Sequence, residues 1–180
     1  MSREPDAGRR RAILDAALAC FLQFGYDKTS LDDIARQAGL SRALIYRKFP
    51  NKETIFGSLL GQIFKGRSEA ALSVLEEGGE TRKTLFRIYE IMLLEPWEVI
   101  GNSPMVGDFY ATCVRLQPEE DSKRKRQLLK YTQALIPDRE TSEVFKHAVA
   151  GLSLDMPKPR VFRRRLEVLV EKFVPKALSV

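Results

Sequence analysis

The chain has 180 residues, of which 44% are hydrophobic and 30% charged. This length and composition fit one or two small globular domains with a real core and exclude a disordered chain. Because no run of eighteen apolar residues occurs and the basic start MSREPDAGRRR precedes no uninterrupted apolar segment, we expect no membrane span, no secretory signal and a cytoplasmic location.

Positive charge is concentrated at the N-terminal end. Residues 1–67 contain 12 Lys or Arg and 7 Asp or Glu, which accounts for five of the six net positive charges. A basic region beside a nearly neutral remainder is expected of a protein that meets phosphates with one end.

The first predicted helix begins at the arginine triplet 9–11 and ends at about Phe24, before Gly25. The triplet either reaches a phosphate or the adjacent minor groove, or is a solvated and frayed helix end. The apolar stripe consists of Ile13, Ala17, Phe21 and Phe24.

The next stretch, residues 30–49, predicts two short helices joined by a turn. Ser30 is an N-cap residue, Asp33 can complete the cap, and Gly39 suits the left-handed backbone that ends a helix. Ser41 caps the second helix, whose buried positions are Ile45 and Phe49. Two short helices joined by a glycine-containing turn form the helix-turn-helix unit, whose second helix enters the DNA major groove.

The outer face of the second helix is basic. Arg42 can pair with a guanine, Leu44 can meet a thymine methyl group, and Ala43 permits close approach. Tyr46, Arg47, Lys48 and Lys52 are placed to hold phosphates. The alternative is a helical hairpin in an ordinary all-helical core with a solvated basic face.

Many positions in this region resemble the N-terminal domain of the TetR family of bacterial transcriptional repressors. The resemblance covers Ala7–Arg67 and rests on Thr29-Ser30, Ile34-Ala35, Ala38-Gly39-Leu40-Ser41, Ile45-Tyr46, Phe49 and Asn51-Lys52-Glu53. It implies an all-α homodimer with a three-helix DNA-binding domain at residues 7–67 and a C-terminal bundle at 68–180 that dimerises and often binds an inducer, about nine helices in all.

The resemblance also implies which residues bind DNA. Two positions depart from the family pattern: Ala43 stands where many members have glycine, and Lys48 stands where many have histidine or an aromatic residue. The resemblance therefore does not indicate which bases this helix prefers. The residues implied are Thr29, Ser30, Ser41, Arg42, Ala43, Leu44, Tyr46, Arg47, Lys48 and Lys52.

A long helix is predicted over residues 52–76 and would couple the two domains. The following region, residues 81–116, is unusually rich in large apolar residues and is divided by Pro96 and by the turn at residues 101–104. It predicts either an inducer pocket with polar handles or simply the core. The candidate pocket residues are Phe86, Tyr89, Met92, Trp97, Met105, Phe109 and Tyr110.

Three further helices are predicted after Gln117. The first, 118–136, carries four consecutive cations that are more typical of a solvated surface than of an anion site. The last two, ending at about Ala177, are amphipathic and predict a four-helix homodimer interface, with completion of a monomeric core as the alternative.

Cys20 and Cys113 are predicted to be buried thiols, and no metal or cofactor site is expected. No phosphate loop, nucleophile elbow or metal-spaced cluster occurs, so an enzyme is not expected. The predicted function is a repressor that binds a pseudopalindromic operator in double-stranded DNA and is released by a small-molecule inducer. The alternative is an architectural or protein-interaction protein that keeps the fold without specific operator readout.

Overall fold

The protein is represented by a computed structural model that describes residues 4–174, with side chains described from Asp6 onwards. Every regular element in that range is helical, which confirms the all-α fold class. None of the helices in the described range is both long and apolar enough to cross a membrane. The chain divides into two compact units.

The first unit contains the described residues up to Ile63 together with Ser103–Pro118. The chain therefore leaves this unit after the fourth helix and returns to it later with one more helix. Its helices are α1 (Glu4–Phe24), α2 (Leu31–Ala38), α3 (Arg42–Lys48), α4 (Lys52–Phe64) and α8 (Val106–Leu116).

An aromatic cluster forms the core of the first unit. The ring of Phe56 on α4 lies 5.5 Å from Phe21, 5.3 Å from Tyr26 and 5.1 Å from Phe109 on α8. Asp108 accepts a hydrogen bond from the backbone N–H of Tyr26 at 2.8 Å. Helix α8 is thus held to the α1–α2 loop by a polar contact and to the core by an aromatic one.

The second unit contains Phe64–Asn102 and the described residues from Glu119 onwards. Its core includes Tyr89, whose ring meets Phe145 edge-on at 5.3 Å, and Trp97, whose ring lies 5.6 Å from Phe162. Its helices are α5 (Arg67–Glu77), α6 (Thr81–Tyr89), a π-helical turn (Glu90–Leu94), α7 (Glu95–Ile100), α9 (Pro118–Leu135), α10 (Arg139–Gly151) and α11 (Pro159–Phe173).

The predicted break at Pro96 is wrong, because α6, the π-helical turn and α7 follow one another without interruption. A proline lacks the N–H that donates to the helical hydrogen-bond ladder, and its ring clashes with the carbonyl four residues earlier. A π-helical turn immediately before the proline widens the backbone where that clash would occur. The carbonyl of Ile91 within the turn accepts a hydrogen bond from the Arg67 guanidinium at 3.0 Å.

The helix predicted over residues 52–76 is also not continuous. It is two helices, α4 and α5, separated at Gly66, whose φ of 72° is left-handed. The apolar pattern continues across this glycine, so the sequence pattern does not reveal the break. At the N-terminus α1 begins before the arginine triplet, at Glu4, and Phe24 is exposed rather than buried. Helix α11 ends at Phe173, and the predicted end at Ala177 lies outside the described residues.

Both cysteines are buried, as predicted. Among the residues that the structure describes, no three His, Cys, Asp or Glu side chains are grouped so that they could hold a metal ion.

Candidate DNA-binding interface

Helix α2 begins with a complete capping box. The Asp33 N–H donates to Ser30 Oγ at 3.1 Å, and the Ser30 N–H donates to Asp33 Oδ2 at 3.0 Å. The hydrogen bonds from Ser30 hold the pKa of Asp33 below its usual value. At the other end Gly39 adopts a left-handed φ of 65°, so the two ends of this helix are set by residues read directly from the sequence.

Helix α3 is fixed by its cap and by its buried face. Ser41 Oγ accepts a hydrogen bond from the Leu44 N–H at 3.3 Å, and Ile45 and Phe49 are buried. The Arg10 guanidinium of α1 lies 4.7 Å from the centre of the Phe49 ring. Helix α1 thus helps to hold the position of α3, which we call the recognition helix.

The opposite face of the recognition helix lies open to solvent. Arg42, Ala43, Arg47 and Tyr46 are exposed, and Tyr46 shows 54% of its surface. Leu44 and Lys48 are partly exposed, and Ser30 and Ser41 lie exposed at the helix starts. Donors, an aliphatic side chain and a phenol on one exposed helix face can meet base edges and phosphates together.

Carboxylates from other helices pair with cations at both ends of the recognition helix. Arg42 Nη1 lies 2.9 Å from Asp32 Oδ2 on α2, and the Lys48 ammonium is bonded to Asp6 on α1. The hydrogen bond from Lys48 lowers the pKa of Asp6. Sequence reasoning identified the cations of this face but neither carboxylate.

Thr29 and Lys52 are placed differently from the other predicted contact residues. Thr29 is buried and its hydroxyl donates to the carbonyl of Gly25 at 2.7 Å. The Lys52 ammonium donates to the carbonyl oxygens of Tyr26 at 2.7 Å and Thr29 at 2.9 Å. Both side chains therefore stabilise the loop between α1 and α2 in this structure.

The Lys52 ammonium also lies over an aromatic ring. Its distance to the centre of the Tyr26 ring is 4.2 Å. Burial lowers the pKa of Lys52, and the carbonyl oxygens replace the water that burial removes. No local sequence pattern signals this arrangement, since the acceptors lie 23 and 26 residues away in the chain.

The candidate pocket residues are divided between the two units. Phe86, Tyr89, Met92 and Trp97 belong to the second unit, and Met105, Phe109 and Tyr110 belong to the first. Tyr89 is bonded to the Thr132 hydroxyl at 2.6 Å, and Trp97 donates to the carbonyl of Pro157 at 2.8 Å. These two buried residues thus already have internal hydrogen-bond partners.

The first unit contains a capped α2, a turn at a left-handed glycine, and a capped basic α3 that is contacted by α1. This combination defines a helix-turn-helix domain of a DNA-binding protein. Residues 13–59 match the model of the bacterial regulatory proteins of the TetR family. An HTH-type transcriptional repressor of Mycobacterium tuberculosis is 39% identical over 59 residues, which are 33% of this chain and 32% of that protein. The chain thus spans about a third of the length of this curated relative.

Solved structures extend the likeness of fold to most of the chain. A TetR-family transcriptional regulator from Bordetella parapertussis aligns with a TM-score of 0.68 and 24% identity, over 95% of this chain and 96% of that one. A transcriptional regulator from Saccharomonospora viridis in complex with choline aligns with a TM-score of 0.63 and 20% identity, over 92% and 96%. The likeness to the TetR family of bacterial regulatory proteins is thus one of sequence over residues 13–59 and one of fold over most of the chain.

Proposed function

We propose that this protein is a cytoplasmic, sequence-specific transcriptional repressor without enzymatic activity that binds operator DNA as a homodimer and is released by a small molecule. The observation that carries the proposal is the exposed basic face of α3 within a TetR-type helix-turn-helix. Arg42 stands at its first residue, where a recognition helix contacts base edges. Arg47 and Tyr46 are exposed on the same helix and bind phosphates.

Exposed apolar side chains support dimerisation through the last two helices. Val144 on α10 and Val161 and Val168 on α11 are large apolar residues left exposed in the single chain. Residues seven apart on a helix lie on nearly the same side, so Val161 and Val168 form one strip. Pairing α10 and α11 with their copies in a second subunit removes these side chains from water. A dimer also supplies two recognition helices, which successive major grooves about 34 Å apart require.

The small-molecule part of the proposal draws on the family and on the composition of the second unit. The Saccharomonospora viridis regulator of the same fold holds choline. The second unit of this chain carries the apolar and aromatic residues Phe86, Met92 and Trp97, the kind of lining that ligand sites in helical bundles use. A ligand with different affinities for the bound and released forms changes operator affinity by about 5- to 150-fold.

The test is selection from a random duplex library at two salt concentrations. An enriched pseudopalindrome with half-sites about one helical turn apart supports a dimeric sequence-specific repressor. Arg42→Ala should weaken the free energy of operator binding by about 1 to 3 kcal/mol, with the loss of discrimination concentrated at one base position. Arg126→Ala is the control and should not change the preferred site, because Arg126 is an exposed arginine on α9 in the second unit. Salt-sensitive binding without an enriched site contradicts the proposal and favours an architectural protein.

Dimerisation has its own test. Val161→Asp should shift the protein from dimer to monomer in analytical ultracentrifugation, because it places a charge in the proposed interface. Leu72→Asp is the matched control, since Leu72 is an exposed apolar residue on α5. An unchanged dimer in Val161→Asp contradicts the proposed use of α11.

A further inference from the structure

The first residue of the recognition helix is paired with a carboxylate from the preceding helix. Arg42 Nη1 and Asp32 Oδ2 are 2.9 Å apart across the turn. The Arg42 side chain is 68% exposed, whereas that of Asp32 is 32% exposed. The acid is thus the more enclosed partner, and the guanidinium extends from it towards solvent.

We propose that Asp32 is a positioning residue that determines sequence specificity, because it orients Arg42 for base readout and opposes contact of Arg42 with phosphates of random DNA. This inference rests on the proposed DNA-binding function.

The fixed position of Asp32 is the first step in the argument. Asp32 is the second residue of α2, where the positive end of the helix stabilises a carboxylate. The start of α2 does not depend on Asp32, since Ser30 and Asp33 form the capping box between themselves. A substitution of Asp32 therefore changes the partner of Arg42 and leaves the helix cap in place.

The donor geometry of arginine is the second step. A guanidinium has five N–H donors in a rigid planar fork, and bidentate pairing with guanine needs two of them. The contact with Asp32 uses Nη1, so the remaining donors are available to a base. Holding the long side chain in one orientation before binding removes the entropy cost of ordering it on the DNA.

Charge is the third step. A carboxylate 2.9 Å from the guanidinium offsets its positive charge and repels a phosphate that approaches the same position. A guanine edge presents neutral acceptors, so it meets much less of this repulsion. The pair thus penalises random DNA more than a site with the correct base.

The test uses the full chain as wild type, Asp32→Asn, Arg42→Ala and the double variant. Asp15→Asn is the matched control, because Asp15 is an exposed carboxylate on α1 that pairs with Arg11 and not with the recognition helix. Fluorescence anisotropy would measure binding to a random duplex, to the selected site and to its single-base variants at several salt concentrations. Urea denaturation would check that Asp32→Asn remains folded.

We expect Asp32→Asn to bind the random duplex about 3- to 10-fold more tightly, with a slope against log salt steeper by up to about 0.9. The preference for the base read by Arg42, about 5- to 150-fold in the wild type, should fall at least about threefold. With Arg42→Ala already present, Asp32→Asn should cause no further loss of this preference, because the two residues act as one unit. Asp15→Asn should retain the base preference of the wild type.

Three results would overturn the inference. One is an Asp32→Asn protein that keeps the full base preference of a selective wild type, which refutes the role of Asp32 alone. Another is an Asp32→Asn protein that loses preference equally at every base position of the selected site, with and without Arg42, which indicates a structural effect of Asp32 unrelated to that arginine. A wild-type protein that selects no sequence overturns the proposed repressor function and the role of Asp32 together.

Discussion

Replacing Lys52 with methionine tests whether its ammonium stabilises the first unit as the structure indicates. Methionine keeps much of the apolar stem but removes the donor to the carbonyls of Tyr26 and Thr29. Each charge-assisted hydrogen bond contributes about 1.5 to 3 kcal/mol, and the cation over an aromatic ring about 0.5 to 2 kcal/mol. Part of this sum is offset because a half-buried charge no longer has to be desolvated. We expect a net loss of about 2 to 3 kcal/mol.

The assay is urea and thermal denaturation of the full chain followed by circular dichroism. A loss of this size lowers the unfolding temperature by about 5 to 10 °C in a protein of this length. Lys28→Met is the matched control, because Lys28 is an exposed lysine in the same loop, and its stability should stay within about 0.5 kcal/mol of the wild type. This control separates the loss of the bonded ammonium from the loss of one positive charge.

The outcome also distinguishes two roles for Lys52. If Lys52→Met unfolds like the wild type but its DNA affinity depends less steeply on salt, by about one unit, then Lys52 binds a phosphate and the structural role is refuted. If the variant loses stability, then its DNA affinity must be compared at a temperature where it is fully folded. A stable variant with unchanged DNA binding would contradict both roles.

Three further substitutions test other parts of the structure. Gly39→Ala should cost about 1 to 2 kcal/mol in urea denaturation, because a side chain is strained at the left-handed φ of 65°. Tyr89→Phe should lower the free energy of unfolding by about 0.5 to 1.5 kcal/mol, since it removes the buried 2.6 Å hydrogen bond to Thr132, whose hydroxyl still donates to the Leu128 carbonyl. Tyr110→Phe on the surface should cost almost nothing. The lowered pKa of Asp33 means that its stabilising effect is complete above its unfolded pKa of about 4 and is lost as the pH falls through the lower folded value. Asp33→Asn should therefore make the acid-induced fall in unfolding free energy shallower, and an unchanged pH profile would contradict this.

The helix-turn-helix was predictable because its signals are local. Ser30 and Ser41 lie immediately before the helices that they cap, and Gly39 lies immediately after the helix that it ends. Each of these roles depends on side-chain and backbone chemistry within four residues. The exposed face of α3 then follows from the buried positions Ile45 and Phe49.

Contacts between distant parts of the chain were not predictable in the same way. The acceptors of Lys52 lie in a loop that only the folded domain brings near it, and Asp32 meets Arg42 only after the turn has formed. The π-helical turn before Pro96 lets the helix continue past the proline. The sequence rule that a proline ends a helix predicts a break there instead. Likewise, the composition of α8 does not reveal which unit it joins.

The return of α8 to the first unit has a consequence for protein synthesis. Phe109 completes the aromatic core around Phe56, and Asp108 accepts the hydrogen bond from the N–H of Tyr26. Both residues lie on α8, which is translated after the rest of this unit. The DNA-binding unit therefore cannot reach its final packing on the ribosome until the chain has emerged through residue 118. A fragment that ends after α4 exposes part of its aromatic core to water and is expected to aggregate, although it contains the whole helix-turn-helix.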